Sequence, residues 1–152
     1  MTRKHLALAA AALLALAACT ETGGGFSGGT AGSGYTLSSR HWGDVAKLRA
    51  EAQRLGLQVR SGKITRVQAA QYLNRYRLRE VGANQVDDSV YSVYLRAAVD
   101  RQSGRLSEEQ SRANVENALK GWQQRWPHMS RRPSNPAFTN FLMEYMNMKP
   151  LQ

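Results

Sequence analysis

Ser61-Gly62-Lys63-Ile64-Thr65-Arg66-Val67-Gln68 recurs 42 residues further on as Ser103-Gly104-Arg105-Leu106-Ser107-Glu108-Glu109-Gln110. Each copy reads as a hinge between two helices. Gly62 and Gly104 supply the left-handed conformation that ends the first helix. Thr65 and Ser107 then cap the second, with Gln68 and Gln110 placed three residues on, where a capping box closes. Ile64 and Leu106 precede the caps and can pack back as hydrophobic staples. The chain therefore holds two αα-hairpins with one hinge chemistry, most simply packed as a four-helix bundle. Two copies are too few to make a solenoid the default architecture. Duplication and repeated use of one turn explain the recurrence equally well.

Helical periodicity extends outward from both hinges, with no strand-like alternation from Ser38 onward. A first helix is expected over about Ser39 to Arg60, with Val45, Leu48, Ala52, Leu55 and Val59 on one face. A second covers Arg66 to Glu80, with Ala69, Tyr72, Leu73 and Tyr76 inward. The third, about Asp88 to Gln102, is apolar round more than half its circumference, the mark of the most enclosed helix. A fourth runs from Glu108 to Trp126 on a stripe of Val115, Ala118, Leu119, Trp122 and Trp126, and Pro127 ends it. A fifth begins at Asn135-Pro136, a cap followed by proline at the first helical position. Its face is Phe138, Phe141, Leu142, Tyr145 and Met148. The fold class is all-α: a four-helix bundle plus a C-terminal fifth helix, in a domain over residues 36–152.

The N-terminus has a different composition. Arg3 and Lys4 precede an Ala/Leu run from Leu6 to Leu16, then Leu16-Ala17-Ala18-Cys19. An apolar run that short cannot span a bilayer, which takes about 20 residues, so residues 1–18 read as a cleaved export signal. Leu16-Ala17-Ala18-Cys19 resembles the lipobox of bacterial lipoproteins. The resemblance implies cleavage before Cys19, a diacylglycerol on its thiol, an acylated amine, and so a membrane anchor. In a Gram-negative envelope, Thr20 in place of an inner-membrane-retaining Asp implies the outer membrane; the periplasmic face is the expected location, though the residue does not choose between that face and the cell surface. Cys19 is the only cysteine, so no intramolecular disulfide can form despite the envelope address. Residues 19–35 hold the lipidated cysteine and a Gly-rich tether averaging about 20–25 Å if it behaves as a flexible coil. Phe26 and Tyr35 are expected to be spectators in it.

Removing Arg3 and Lys4 with the signal leaves 19 basic and 11 acidic residues, a net charge of +8. That balance favours anionic envelope polymers or lipids as neighbours. Catalytic chemistry is sparse. His41 and His128 each stand alone outside the signal, and no Cys, His or carboxylate set has zinc spacing. Neither metal nor cofactor is expected. Gly56 is one residue too far from Gly62-Lys63 for a phosphate-binding loop, and Ile64 stands where that loop needs a hydroxyl. Asp87-Asp88 and Glu108-Glu109 fall at helix N-termini, where they complement the dipole. On the second helix Arg75 and Arg79 lie on one flank and Arg66 and Arg77 on the other, not in a nucleic-acid-binding stripe.

Two segments remain as contact surfaces. Trp122, Arg125, Trp126, Arg131 and Arg132 crowd one aromatic-basic stretch, and Phe138, Phe141 and Tyr145 give the last helix a dense aromatic face. The expectation is a non-enzymatic, membrane-anchored helical module that binds another envelope protein through these residues. Direct binding of an anionic envelope polymer or lipid through the basic surface is the alternative.

Overall fold

A computed structural model describes residues 34–152; the expected signal, Cys19 and most of the tether lie outside the described residues. Five α-helices and one 3-10 turn make up the described part, without a strand: α1 His41–Arg60, α2 Arg66–Glu80, α3 Gln85–Gln102, α4 Glu108–Arg125, the turn Trp126–His128, and α5 Ala137–Tyr145. The fold is all-α, as the periodicity indicates.

The glycine turns and capping boxes of both hinges form as read, and Ile64 packs against the core. Gly62 and Gly104 take φ values of 74° and 78°. Thr65 Oγ1 accepts from Gln68 N–H at 3.1 Å while Gln68 Oε1 accepts from Thr65 N–H at 2.9 Å. Ser107 and Gln110 repeat those two bonds at the same distances. The flanking backbone matches as well, with Lys63 N–H donating to Gln58 O and Arg105 N–H to Asp100 O. Val67 N–H donates to Gln102 Oε1, which puts the two hinges at one end of the domain.

The other end is built differently from expectation. Helix α3 starts three residues early, because Asn84 caps it by accepting from Asp87 N–H at 2.9 Å. Helix α4 stops at Arg125, and Pro127 sits inside the following 3-10 turn. Helix α5 starts at Ala137, and Asn135 does not cap it. The most enclosed helix is α5 rather than α3: every residue from Ala137 to Met143 is buried. It packs against α1 and α3, the first helix of each hairpin, while α2 packs on α1 and α3, and α4 on α3. The chain then returns across the domain, with Gln123 Nε2 donating to Lys149 O and Trp126 Nε1 to Gln152 O. So α5 packs between the first helices of the two hairpins, and the C-terminal segment ties it to the end of α4. The core they complete includes Val45, Leu48, Leu73, Val90, Leu119, Phe138 and Met143.

Candidate interaction surfaces and a buried polar junction

The burial of α5 redraws the expected contact surface. Phe138, Phe141 and Trp126 are core residues with no face to offer a partner. Tyr145 falls outside the apolar stripe and is 70% exposed. Trp122 is half-buried beneath Arg125, whose guanidinium carbon lies 3.9 Å from the indole centroid. Arg131 is exposed. Arg132 lies over the rings of Tyr35 and Trp126 and donates to Pro127 O at 3.0 Å. Tyr35 is no spectator: its ring meets Trp126 edge-on at 5.4 Å and its hydroxyl donates to Pro133 O at 2.8 Å. The chain thus enters the domain against the aromatic-basic segment, an attachment reinforced by Ser38 N–H donating to Ser134 O.

A second aromatic-basic surface lies on the outer groove of α1 and α2. Glu51, Arg54, Tyr72, Arg75, Tyr76 and Arg79 line a shallow recess of about 270 Å³. Arg75 stacks over Tyr72 at 4.8 Å and Arg79 over Tyr76 at 5.4 Å. Arg54 is ion-paired to Glu51. The periodic reading of α2 turned Tyr72 and Tyr76 inward. In the structure α2 buries Ala70, Leu73 and Arg77, and both tyrosines pack against the core while staying partly exposed at the recess. The signal was present as a doubled Tyr-x-x-Arg, residues 72–75 and 76–79, whose spacing puts ring and guanidinium one turn apart.

Below the surfaces is a polar junction that no local pattern revealed. His41, which stands alone in the sequence, is fully buried. Its Nε2 accepts from Asn140 Nδ2 at 2.9 Å and its Nδ1–H donates to Asn135 Oδ1 at 2.8 Å, the assignment that gives every atom a complementary partner. Asn135 Nδ2 donates onward to Asp44, which also receives Arg40 and Lys47. Asn140 completes its amide with Leu151, donating to its carbonyl and accepting from its N–H. Burial holds the His41 imidazole below its ordinary pKa, against the raising pull of Asn135, Asp87, Asp44 and Glu144. Burial also acts to raise the Asp44 carboxyl, but Asn135, Arg40 and Lys47 together hold it below the usual range.

Asp87 is the other centre. Its carboxylate accepts from the backbone N–H of Phe138 and Thr139, the Thr139 hydroxyl and Asn84 Nδ2. Burial pushes this carboxyl upward, and those four donors oppose the rise. Every one of these side chains already has its partners within the domain, so the junction reads as a lock between hairpins and α5. Among the described residues no group of three His, Cys, Asp or Glu side chains is placed to hold a metal ion, and no helix is long and apolar enough to cross a membrane. Comparison of the chain with protein-family models, curated proteins and solved structures finds no match.

Proposed function

We propose that this chain is a lipid-anchored, non-enzymatic module of the bacterial outer membrane, which docks another envelope protein on the α1–α2 groove. The observation that carries the docking role is the pair of Arg–Tyr stacks around the recess, Tyr72 with Arg75 and Tyr76 with Arg79. Tyrosine and arginine are the side chains that concentrate binding energy in protein interfaces. Tyrosine brings a large surface held by only two torsions. The Arg75 guanidinium, with no carboxylate partner among the described residues, keeps its N–H edge for a carboxylate or carbonyl, while Arg79 is already paired with Glu80. The anchor is supported by the lipobox-like Leu16-Ala17-Ala18-Cys19.

Photo-crosslinking in intact cells tests the docking. A photoreactive residue at position 72 or 76 captures one envelope protein, identified by mass spectrometry, and Arg75→Ala with Arg79→Ala abolishes the capture. Crosslinks scattered over abundant envelope proteins, unchanged by the double substitution, overturn it. Metabolic labelling with palmitate tests the anchor separately: label enters the wild type and is lost in Cys19→Ser.

A further inference from the structure

The end of the domain at which the chain enters carries its own charge pattern. Residues 117–143 contain no Asp or Glu, yet carry Lys120, Arg125, Arg131 and Arg132. Arg40, Arg49, Arg54, Arg77, Arg79, Arg101 and Arg105 are all ion-paired to carboxylates. Arg125, Arg131 and Arg132 have no acidic partner among the described residues, which is also true of Arg60, Arg66, Arg75, Arg96 and Arg112; these three differ in falling close together in a stretch without a carboxylate. Arg125 commits its Nε–H to Gly121 O and Arg132 one Nη–H to Pro127 O. The remaining forks of these two, braced on Trp122 and on Tyr35 with Trp126, are available to an external anion.

We infer that this end, centred on Arg125, Arg131 and Arg132, docks onto the anionic headgroups of the membrane phospholipids. The inference rests on the anchored reading of Cys19, because that reading fixes what lies within reach. Fourteen residues separate Cys19 from Gly34, so across the fifteen steps Gly34 stays within about 50 Å of the lipid whatever their conformation. Gly34 adjoins Tyr35, and Tyr35 touches Trp126 and Arg132. The patch is therefore the part of the domain nearest the bilayer along the chain, and it has the opposite charge. Guanidinium forks match phosphate oxygens, and a tryptophan beside them suits the headgroup layer. The acyl chains already make attachment permanent, so the patch serves orientation: it stands the domain on this end. The hinges at Gly62 and Gly104 then point away from the bilayer by about 30 Å, the length of α1.

The test removes the lipid and keeps the patch. The chain from residue 19 onward, carrying Cys19→Ser, is floated with vesicles of phosphatidylcholine containing about 30% phosphatidylglycerol. Binding is expected there and at least about fivefold weaker on pure phosphatidylcholine or in about 0.5 M salt. Arg125→Glu with Arg131→Glu, shown folded by circular dichroism, loses binding by a similar factor, while Arg75→Ala with Arg79→Ala keeps it. Equal binding to both vesicle types overturns the proposal, as does indifference to the Arg125 and Arg131 changes. Sedimentation with peptidoglycan but not with vesicles also overturns it and assigns the patch to the wall polymer. Palmitate labelling separates the two readings. A labelled wild type whose Cys19→Ser form ignores anionic vesicles overturns the patch alone. An unlabelled wild type whose patch still binds them overturns the anchor alone.

Discussion

The Asp87 carboxylate of α3 accepts the backbone N–H of Thr139 at 2.9 Å and its hydroxyl at 2.8 Å, and so caps a helix to which it does not belong. Helix α5 has no side-chain cap of its own, because Asn135 is turned away to His41 and Asp44. Its first free N–H groups would otherwise be buried without partners, a cost of about 1–3 kcal/mol for each group. Asp87 removes that cost and fixes α5 between the hairpins in one step.

Asp87→Ala is therefore expected to destabilise the domain by about 3–4 kcal/mol, well beyond an ordinary lost cap. Asp87→Asn keeps the shape yet turns an amide NH2 toward a group that is itself a donor, and costs about 2 kcal/mol or more. Urea unfolding followed by circular dichroism reads both. An Asn variant as stable as wild type would mean that the carboxyl is protonated in the native state and already presents a donor.

Acid should loosen the His41 end. The native imidazole is held below its ordinary pKa of 6.5, so under mild acid the unfolded chain binds a proton that the native chain does not. Stability is complete above pH 6.5 and falls as the pH drops from there toward the native pKa, by at most about 1.4 kcal/mol per pH unit. A protonated Nε2 would face Asn140 Nδ2 donor to donor, and turning that amide would break both bonds to Leu151. Asp44 adds a loss in the same direction at lower pH, below 3.8, and the burial of Asp87 acts the other way. The informative quantity is thus the difference between wild type and His41→Gln. Its slope between pH 6.5 and 5 is expected to flatten in the variant, and equal slopes would remove His41 from the acid response.

The hinges allow a cleaner test of backbone conformation. A Cβ at Gly62 or Gly104 would meet nothing within 4 Å, so a substitution there strains only the left-handed φ. Gly62→Ala and Gly104→Ala should each cost about 1 kcal/mol, and asparagine at either position about half of that, since it tolerates this region better. Matching shifts in the urea midpoints at the two positions are expected from two copies of one hinge. A neutral Gly104→Ala beside a costly Gly62→Ala would show that the copies differ energetically.

The same contrast explains what was legible. Hinges, caps and helix spans depend on residues three or four apart, so residues 61–68 and 103–110 announced both hairpins. The junction depends on pairs such as His41 with Asn140 and Asp87 with Thr139, which α5 brings together from distant parts of the chain. Taken locally, His41 is a helix-start residue, Asp87 a dipole partner and Asn135 a cap. The aromatic-basic stretch was visible as composition, but not which rings would be core. Trp126, Phe138 and Phe141 became core because α5 entered the bundle, which left Trp122, Arg125, Arg131 and Arg132 at the surface. On helix α2 the expected face of Ala69, Tyr72, Leu73 and Tyr76 does pack on the core, but a face read by hydropathy cannot place an arginine inside.

Arg77 is that arginine, 2% exposed and set between the rings of Tyr91 and Phe138 at 5.8 Å from each. Asn74 Oδ1 accepts from its Nε and Nη2, Asp88 Oδ1 accepts from Nη2, and Nη1 has no partner among the described residues. A buried guanidinium with an idle donor contributes little net stability, since its desolvation offsets its bonds. Arg77→Met, which fills similar space without charge, is expected to lie within about 1 kcal/mol of wild type or to be more stable. Asn74→Ala should instead cost about 2–3 kcal/mol, because it strips two donors' acceptor from a charge that stays buried. Chemical unfolding of the two variants gives the ordering directly. If Arg77→Met proved the more damaging, the stacking over Tyr91 and Phe138 would outweigh the desolvation cost.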